Sequence, residues 1–202
     1  MARLDLKQNP QLEPYILVDA SLLLAAVRSH HQKHGIARSF LKRAAAEFAS
    51  GRTQTFASDL AMQEAAHVLC RDGLKLDVLR RNYPGAEQRF RADQARKGRN
   101  DPFDYNALYK WEPGAIAKHV PTVGRFMTDV RAIPVQIIEP HMLGTPGYFL
   151  VDKMREFMSR YELMSADAYH LAIAYTIGAT SLATLDSDWL RAESDFTVLT
   201  DL

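Results

Sequence analysis

The stretch YILVDASLLLAAV sets Tyr15–Val18, a short apolar run, against a carboxylate at Asp19 and then a second apolar run with a different period. Four residues are too few for a helix, so YILV reads as a buried strand, and SLLLAAVRS reads as the helix that leaves it, with Asp19 or Ser21 available as its cap. The pattern recurs. Apolar residues spaced by three and four (Ile36, Phe40, Leu41, Ala44 and Phe48) predict a helix over 36–49, and β-branched and aromatic residues predict a strand over 53–56. Ser58 and Asp59 then cap a helix running to about Cys70. Further on, a helix is expected over 115–131, a strand over 134–139, a loop over 140–147 and an amphipathic helix over 151–161. Ser165 is placed to cap a last helix that Gly178 ends, followed by strands over 181–185 and 196–199. Strands alternating with helices in this way predict an α/β fold whose sheet is joined by right-handed crossovers.

A chain of 202 residues fits one domain with insertions better than two full ones. Its formal net charge is only +1, so no global field draws it to nucleic acid, although a local basic surface remains open. Cys70 is the single cysteine, which excludes an intrachain disulfide and a paired-cysteine zinc site; in the pattern AAHVLC it reads as a small core residue. The start, MARLDLKQNPQLEPY, is polar and mixed in charge, unlike a signal peptide, and Ala20–Val27 is too short to cross a bilayer. The expectation is a cytoplasmic protein.

The middle of the chain differs. Residues 80–99 hold seven basic and two acidic residues, +5 locally, punctuated by Gly, Pro and Asn. This run reads either as a solvated charged face or as a surface that meets phosphates, with Arg89, Arg91, Arg96 and Lys97 as the contact candidates. Tyr83, Phe90, Phe103, Tyr105, Tyr109 and Trp111 are interspersed through and after it, as packing residues or as platforms for bases.

Carboxylates mark the ends of the predicted strands. Asp19 closes the first, Asp186 and Asp188 follow a later one, Asp167 enters the first turn of the helix before it, and Glu64 interrupts an otherwise apolar helix. Each has an ordinary explanation as a cap or a solvated helix residue. Taken together they lie where open α/β sheets bind ligands, outside the carboxyl ends of strands. Carboxylates gathered with nothing between them repel, and a hard divalent cation, Mg²⁺ or Mn²⁺, removes the conflict. His30, His31 and His34 lack a paired ligand motif and read as surface residues of a turn. His67 and His170 each follow a key acid by one helical turn, as orienting or as packing residues.

In YILVDASLLL, DLAMQEAAHVL, LMSADAYHLAIAYTIGA and SLATLDSDW the chain resembles PIN-domain nucleases, in particular the VapC-like toxins of toxin–antitoxin pairs. The resemblance runs from about Tyr15 to the C-terminus. It implies a three-layer α/β/α sandwich with a mostly parallel central sheet. It also implies a single PIN-like domain over 1–202, into which the residues at about 77–133, with their basic run, read as a helical or loop insertion. It further implies metal-dependent cleavage of RNA by Asp19, Glu64, Asp167 and Asp186, with the ion held by Asp19, Asp167, Asp186 and Asp188 and supported by Ser21 and Thr184. A homodimer held inactive by a cognate antitoxin is implied as well.

Two features depart from the family pattern. The last motif tends to read T-N-D-x-D-F, whereas here Leu185 replaces the polar residue and Trp189 the phenylalanine. The stretch from Asp77 to about Ile133 is long for a compact toxin. Rival functions fit less well. Ser21 stands where a haloacid-dehalogenase-like enzyme needs a second acid, and no glycine-rich turn follows the first strand for a dinucleotide. An inactive PIN-like RNA-binding scaffold and a non-toxin PIN ribonuclease are the remaining alternatives.

Overall fold

The computed structural model of the chain describes residues 3–8, 10–82 and 114–201. Arg89, Arg91, Arg96 and Lys97, and the aromatic residues from Tyr83 to Trp111, lie outside the described residues. The chain divides into two compact units, Met1–Ala65 with Asp129–Leu202, and Ala66–Thr128.

The first unit is built on six strands: β1 (Arg3–Asp5), β2 (Tyr15–Val18), β3 (Gln54–Ser58), β4 (Val135–Ile138), β5 (Ser181–Ala183) and β6 (Thr197–Thr200). They form one sheet in the order β1-β6-β5-β2-β3-β4, and each pairing is parallel. The fold is an α/β three-layer sandwich. Helices α1 (Ala20–Val27) and α2 (His34–Ala49) carry the chain from β2 to β3. Helices α3 (Asp59–Asn82) and α4 (Val120–Arg131) belong to the connection from β3 to β4, and α5 (Gly147–Tyr161) and α6 (Ser165–Thr176) return it from β4 to β5. The first crossover moves toward the β4 edge and the last toward the β1 edge, so right-handed connections put α1–α2 and α5–α6 on opposite faces.

The strands alternate accordingly. Leu17, Phe56, Leu182 and Val198 stand in one register row and join the core cluster that holds Leu150, Phe157, Leu171 and Ile173 of α5 and α6. The neighbouring Ile16 and Val18 are buried too, as parallel strands covered on both faces require. In the second unit, the 3-10 turn Ile116–His119 brings the His119 ring so close to Gly73 that no Cβ fits there, and His119 Nε2 lies 3.0 Å from Asp77 Oδ2.

Several boundaries differ from expectation. β1 is an edge strand of three residues in a polar segment, and its apolar content is too small to register as a pattern. Helix α3 runs past Cys70 to Asn82, and Cys70 is half-buried with its thiol pushed up by burial. The expected 140–147 loop holds a 3-10 turn, Pro140–Leu143, and α5 starts at Gly147 rather than Val151. Met164, not Ser165, occupies the cap position of α6, and no side chain caps that helix. The backbone turns helical one residue early, so Ser165 is already inside. His34, expected on the surface of a turn, follows that turn directly, opens α2 half-buried and places Nδ1 3.0 Å from the Ala25 carbonyl oxygen. Gly178 does take the left-handed backbone expected of it, at φ +70°. No helix among the described residues is long and apolar enough to cross a membrane.

Candidate metal centre

Crossovers leave β2 and β5 in opposite directions, toward β3 and toward β6, although the two strands are neighbours. This is the topological switch point, where the connections part and leave a crevice at the carboxyl ends of the strands. Asp19 follows β2 and donates its N–H to Ala183 O at 3.0 Å, while Thr184 follows β5 and donates its own to Leu199 O at 3.0 Å. The sheet ladder thus fixes both residues at the mouth of the crevice.

Asp19 occupies the cap position of α1 but makes no capping hydrogen bond. Its Oδ2 instead accepts from Ser21 Oγ at 2.6 Å and Thr184 Oγ1 at 2.9 Å. Each hydroxyl is oriented by a backbone amide: Leu185 N–H donates to Ser21 Oγ and Asp186 N–H to Thr184 Oγ1, both at 2.9 Å. Two amide–hydroxyl–carboxylate chains therefore end on one oxygen, and Oδ1 takes no hydrogen bond among the described residues. Leu185 contributes its main chain here, so its apolar side chain costs the arrangement nothing.

The α6 side of the site is set by helical spacing, since Asp167 and His170 are three residues apart and share a face. His170, 1% exposed, places Nε2 3.0 Å from Glu64 Oε2 and Nδ1 2.7 Å from Ser58 Oγ. Ser58, the last residue of β3, also caps α3 by accepting from Ala61 N–H at 3.0 Å. Ser58 thereby ties the imidazole to the helix that carries Glu64. Asp167 Oδ1 accepts from Trp189 Nε1 at 3.2 Å.

Carboxylate oxygens of Asp19 and Glu64 and a ring nitrogen of His170 all lie within 4.8 Å of one another, close enough to share one ion. The donor set, two hard carboxylates and one imidazole, suits a divalent cation. Burial pushes the Asp19 carboxyl above its ordinary range; His170 and the hydroxyls of Ser21 and Thr184 work against it, and Glu64 adds to it. Burial likewise raises Asp167, opposed by the Trp189 hydrogen bond and reinforced by Asp186 and Asp19. For His170, burial alone would disfavour the proton, but the Glu64 hydrogen bond and the charges of Asp19, Glu64 and Asp167 raise its pKa. Among the described residues no lysine or arginine pairs with Asp19, Asp167 or Asp186.

The expected acids are thus brought together unevenly. Asp19 and Glu64 belong to the tight cluster, Asp167 is an electrostatic neighbour of Asp19 and His170, and Asp186 one of Asp167. Asp188, exposed over 54% of its side chain, faces Arg191 at 3.8 Å and donates its N–H to Asp186 Oδ1 at 3.0 Å. His170 belongs to the cluster, whereas its spacing from Asp167 alone leaves orienting and packing roles both open. Ser58 and Trp189 were not among the candidates. The strand-end position of Ser58, matching that of Asp19 in the next strand, is the one signal that pointed to it.

The fold and the cluster together define a three-layer α/β protein with a candidate divalent-cation site at the switch point of its parallel sheet. No family model matches the chain, and no curated protein matches it. Among solved structures it is similar to Mycobacterium tuberculosis VapC20, a sarcin-ricin loop cleaving toxin, at 15% identity and a TM-score of 0.44, over 93% of this chain and 98% of that one.

Proposed function

We propose that the chain is a PIN-type endoribonuclease dependent on Mg²⁺ or Mn²⁺, and the toxin of a toxin–antitoxin pair. The observation that carries the catalytic reading is the convergence of Asp19, Glu64 and His170 donor atoms within 4.8 Å. The resemblance of the four motifs to VapC-like toxins, and the basic run at 80–99, favour RNA as substrate. A divalent cation held by Asp19, Glu64 and His170 would neutralise charge on the phosphodiester and lower the pKa of water.

The chain's own groups divide the remaining work. Asp19 would hold the cation through a carboxylate oxygen, with Ser21 and Thr184 donating to its Oδ2 and fixing its orientation. Glu64 is held by His170, and Asp167 and Asp186 complete the acidic wall that orients the attacking water. Hydrolysis then adds the water oxygen to phosphorus, breaks one P–O bond and passes a proton to the departing oxygen. No serine or cysteine is required as nucleophile.

The test is RNA cleavage with Mg²⁺ or Mn²⁺ by the wild type and Asp167→Asn. Activity should vanish in excess EDTA and in the variant. Full cleavage in EDTA would reject metal dependence. Light scattering of the protein alone and with any small protein encoded beside it tests the dimer and the antitoxin, and a monomer with no inhibitor would leave a stand-alone ribonuclease.

A further inference from the structure

Trp189 lies on the 3-10 turn Ser187–Ala192 that follows β5, with its side chain buried to 1% exposure in the core cluster. Packing accounts for the ring but not for its direction. The indole N–H, a donor with no acceptor function, points at Asp167 Oδ1 across 3.2 Å. The same ring lies against the His170 imidazole, with centroids 5.7 Å apart and planes tilted by 35°. His170 in turn holds Glu64. One buried side chain therefore supports the acid of α6 directly and the acid of α3 through one intermediary.

A free Asp carboxylate turns easily about its terminal torsion and presents either oxygen. Anchoring Oδ1 on an N–H from a buried ring fixes the carboxylate plane and leaves Oδ2 outside that bond. Phenylalanine fills much of the same space and cannot donate. We infer that Trp189 is a positioning residue of the metal centre, its indole N–H holding Asp167 so that one carboxylate oxygen is presented to a divalent cation. This rests on the reading of the site as a cation centre. Outer-shell partners of this kind set metal affinity by about 10- to 100-fold.

The experiment titrates Mn²⁺ calorimetrically into the metal-free full chain and records melting curves of the same samples. Wild type is compared with Trp189→Phe and with Phe157→Leu, a packing change in the same core cluster. Trp189→Phe should weaken Mn²⁺ binding about 10- to 100-fold, while Phe157→Leu lowers the melting temperature and leaves the affinity alone. Equal weakening in both variants, or none in Trp189→Phe, overturns the inference while leaving the cation centre intact. A wild type that binds no Mn²⁺ overturns both. Should Trp189→Phe not fold, Trp111→Phe leaves Trp189 as the sole indole. Its fluorescence should be quenched by Mn²⁺ in a saturable way, and silence there overturns the inference.

Discussion

The Asp19 carboxylate and the Thr184 hydroxyl meet at 2.9 Å although 165 residues separate them in the chain. The contact exists because β2 and β5 are neighbours in the sheet and both end at the same level. Thr184 donates to Asp19 and accepts from the Asp186 amide, so one hydroxyl links the Asp19 carboxylate to the main chain at Asp186. Thr184→Val keeps the shape and removes both bonds. It should cost about 1–3 kcal/mol of stability and weaken Mn²⁺ binding about tenfold. Urea melts and calorimetry read the two effects separately, and an unchanged Mn²⁺ affinity would remove Thr184 from the site's support.

Asp167→Asn separates charge from shape at the α6 end of the site. The asparagine carbonyl can still accept from Trp189, so the local packing is kept. Burial, Asp186 and Asp19 all push the Asp167 pKa up, which means the charged form opposes folding above the ordinary carboxylate range. Removing that charge should hold or raise the melting temperature of the metal-free protein while RNA cleavage falls at least about 100-fold. Cleavage at the wild-type rate would show that the carboxylate is not used. A lower melting temperature with activity kept would return Asp167 to a role in starting the helix.

Much of this arrangement was legible because strand ends and helix starts are local. YILV followed by Asp19, and a helix opening just before Asp167, can be read from period and punctuation alone. The metal-centre partners were harder to read, since they depend on which strands lie side by side. Nothing near His170 in the sequence says that Ser58 will stand 2.7 Å from its ring. Trp189 stands in the sequence only as a replacement for the family's phenylalanine, because the sequence does not report the direction of an indole N–H. The cap of α6 was misassigned for the opposite reason. Ser165 is a good cap by residue type, but burial of Leu163 and Ala168 sets where the helix begins.

The basic run bears on substrate binding rather than on the chemistry. If its seven cations meet phosphates, affinity for RNA falls as salt rises, with a slope set by the number of contacts. Reversing the charge of Arg89, Arg91, Arg96 and Lys97 together should weaken RNA binding in low salt and flatten that slope. The effect should be similar across RNA sequences, because backbone contacts position a strand without reading it. Filter binding across a salt series decides the point. An unchanged slope assigns the run to solvation or to protein contacts.

Asp201 supplies the contrast that makes the site acids unusual. It is buried at the end of β6, with 4% of its side chain exposed, yet it is fully compensated. Lys33 donates to its Oδ2 and, at 3.0 Å, to its carbonyl, while Lys7 pairs with Oδ1 at 2.5 Å. Burial alone would raise this carboxyl, but the hydrogen bonds and charges of Lys33 and Lys7 outweigh it and hold the pKa below the ordinary value. A carboxylate with a depressed folded pKa contributes stability that is present above its unfolded pKa and lost as pH falls through the folded one. The Asp201 contribution should therefore be constant from neutral pH to about pH 5 and fade below about pH 4, near the unfolded aspartate value. Asp201→Asn should melt lower than wild type at pH 7, with the gap closing only in that acid range. The Lys7 pKa is raised, chiefly by its hydrogen bond to Asp201, so its share persists below the ordinary lysine value and is lost only as pH rises above it. Melting curves of the two proteins from pH 3 to pH 8 test the assignment, and a gap that disappears near neutral pH would contradict it.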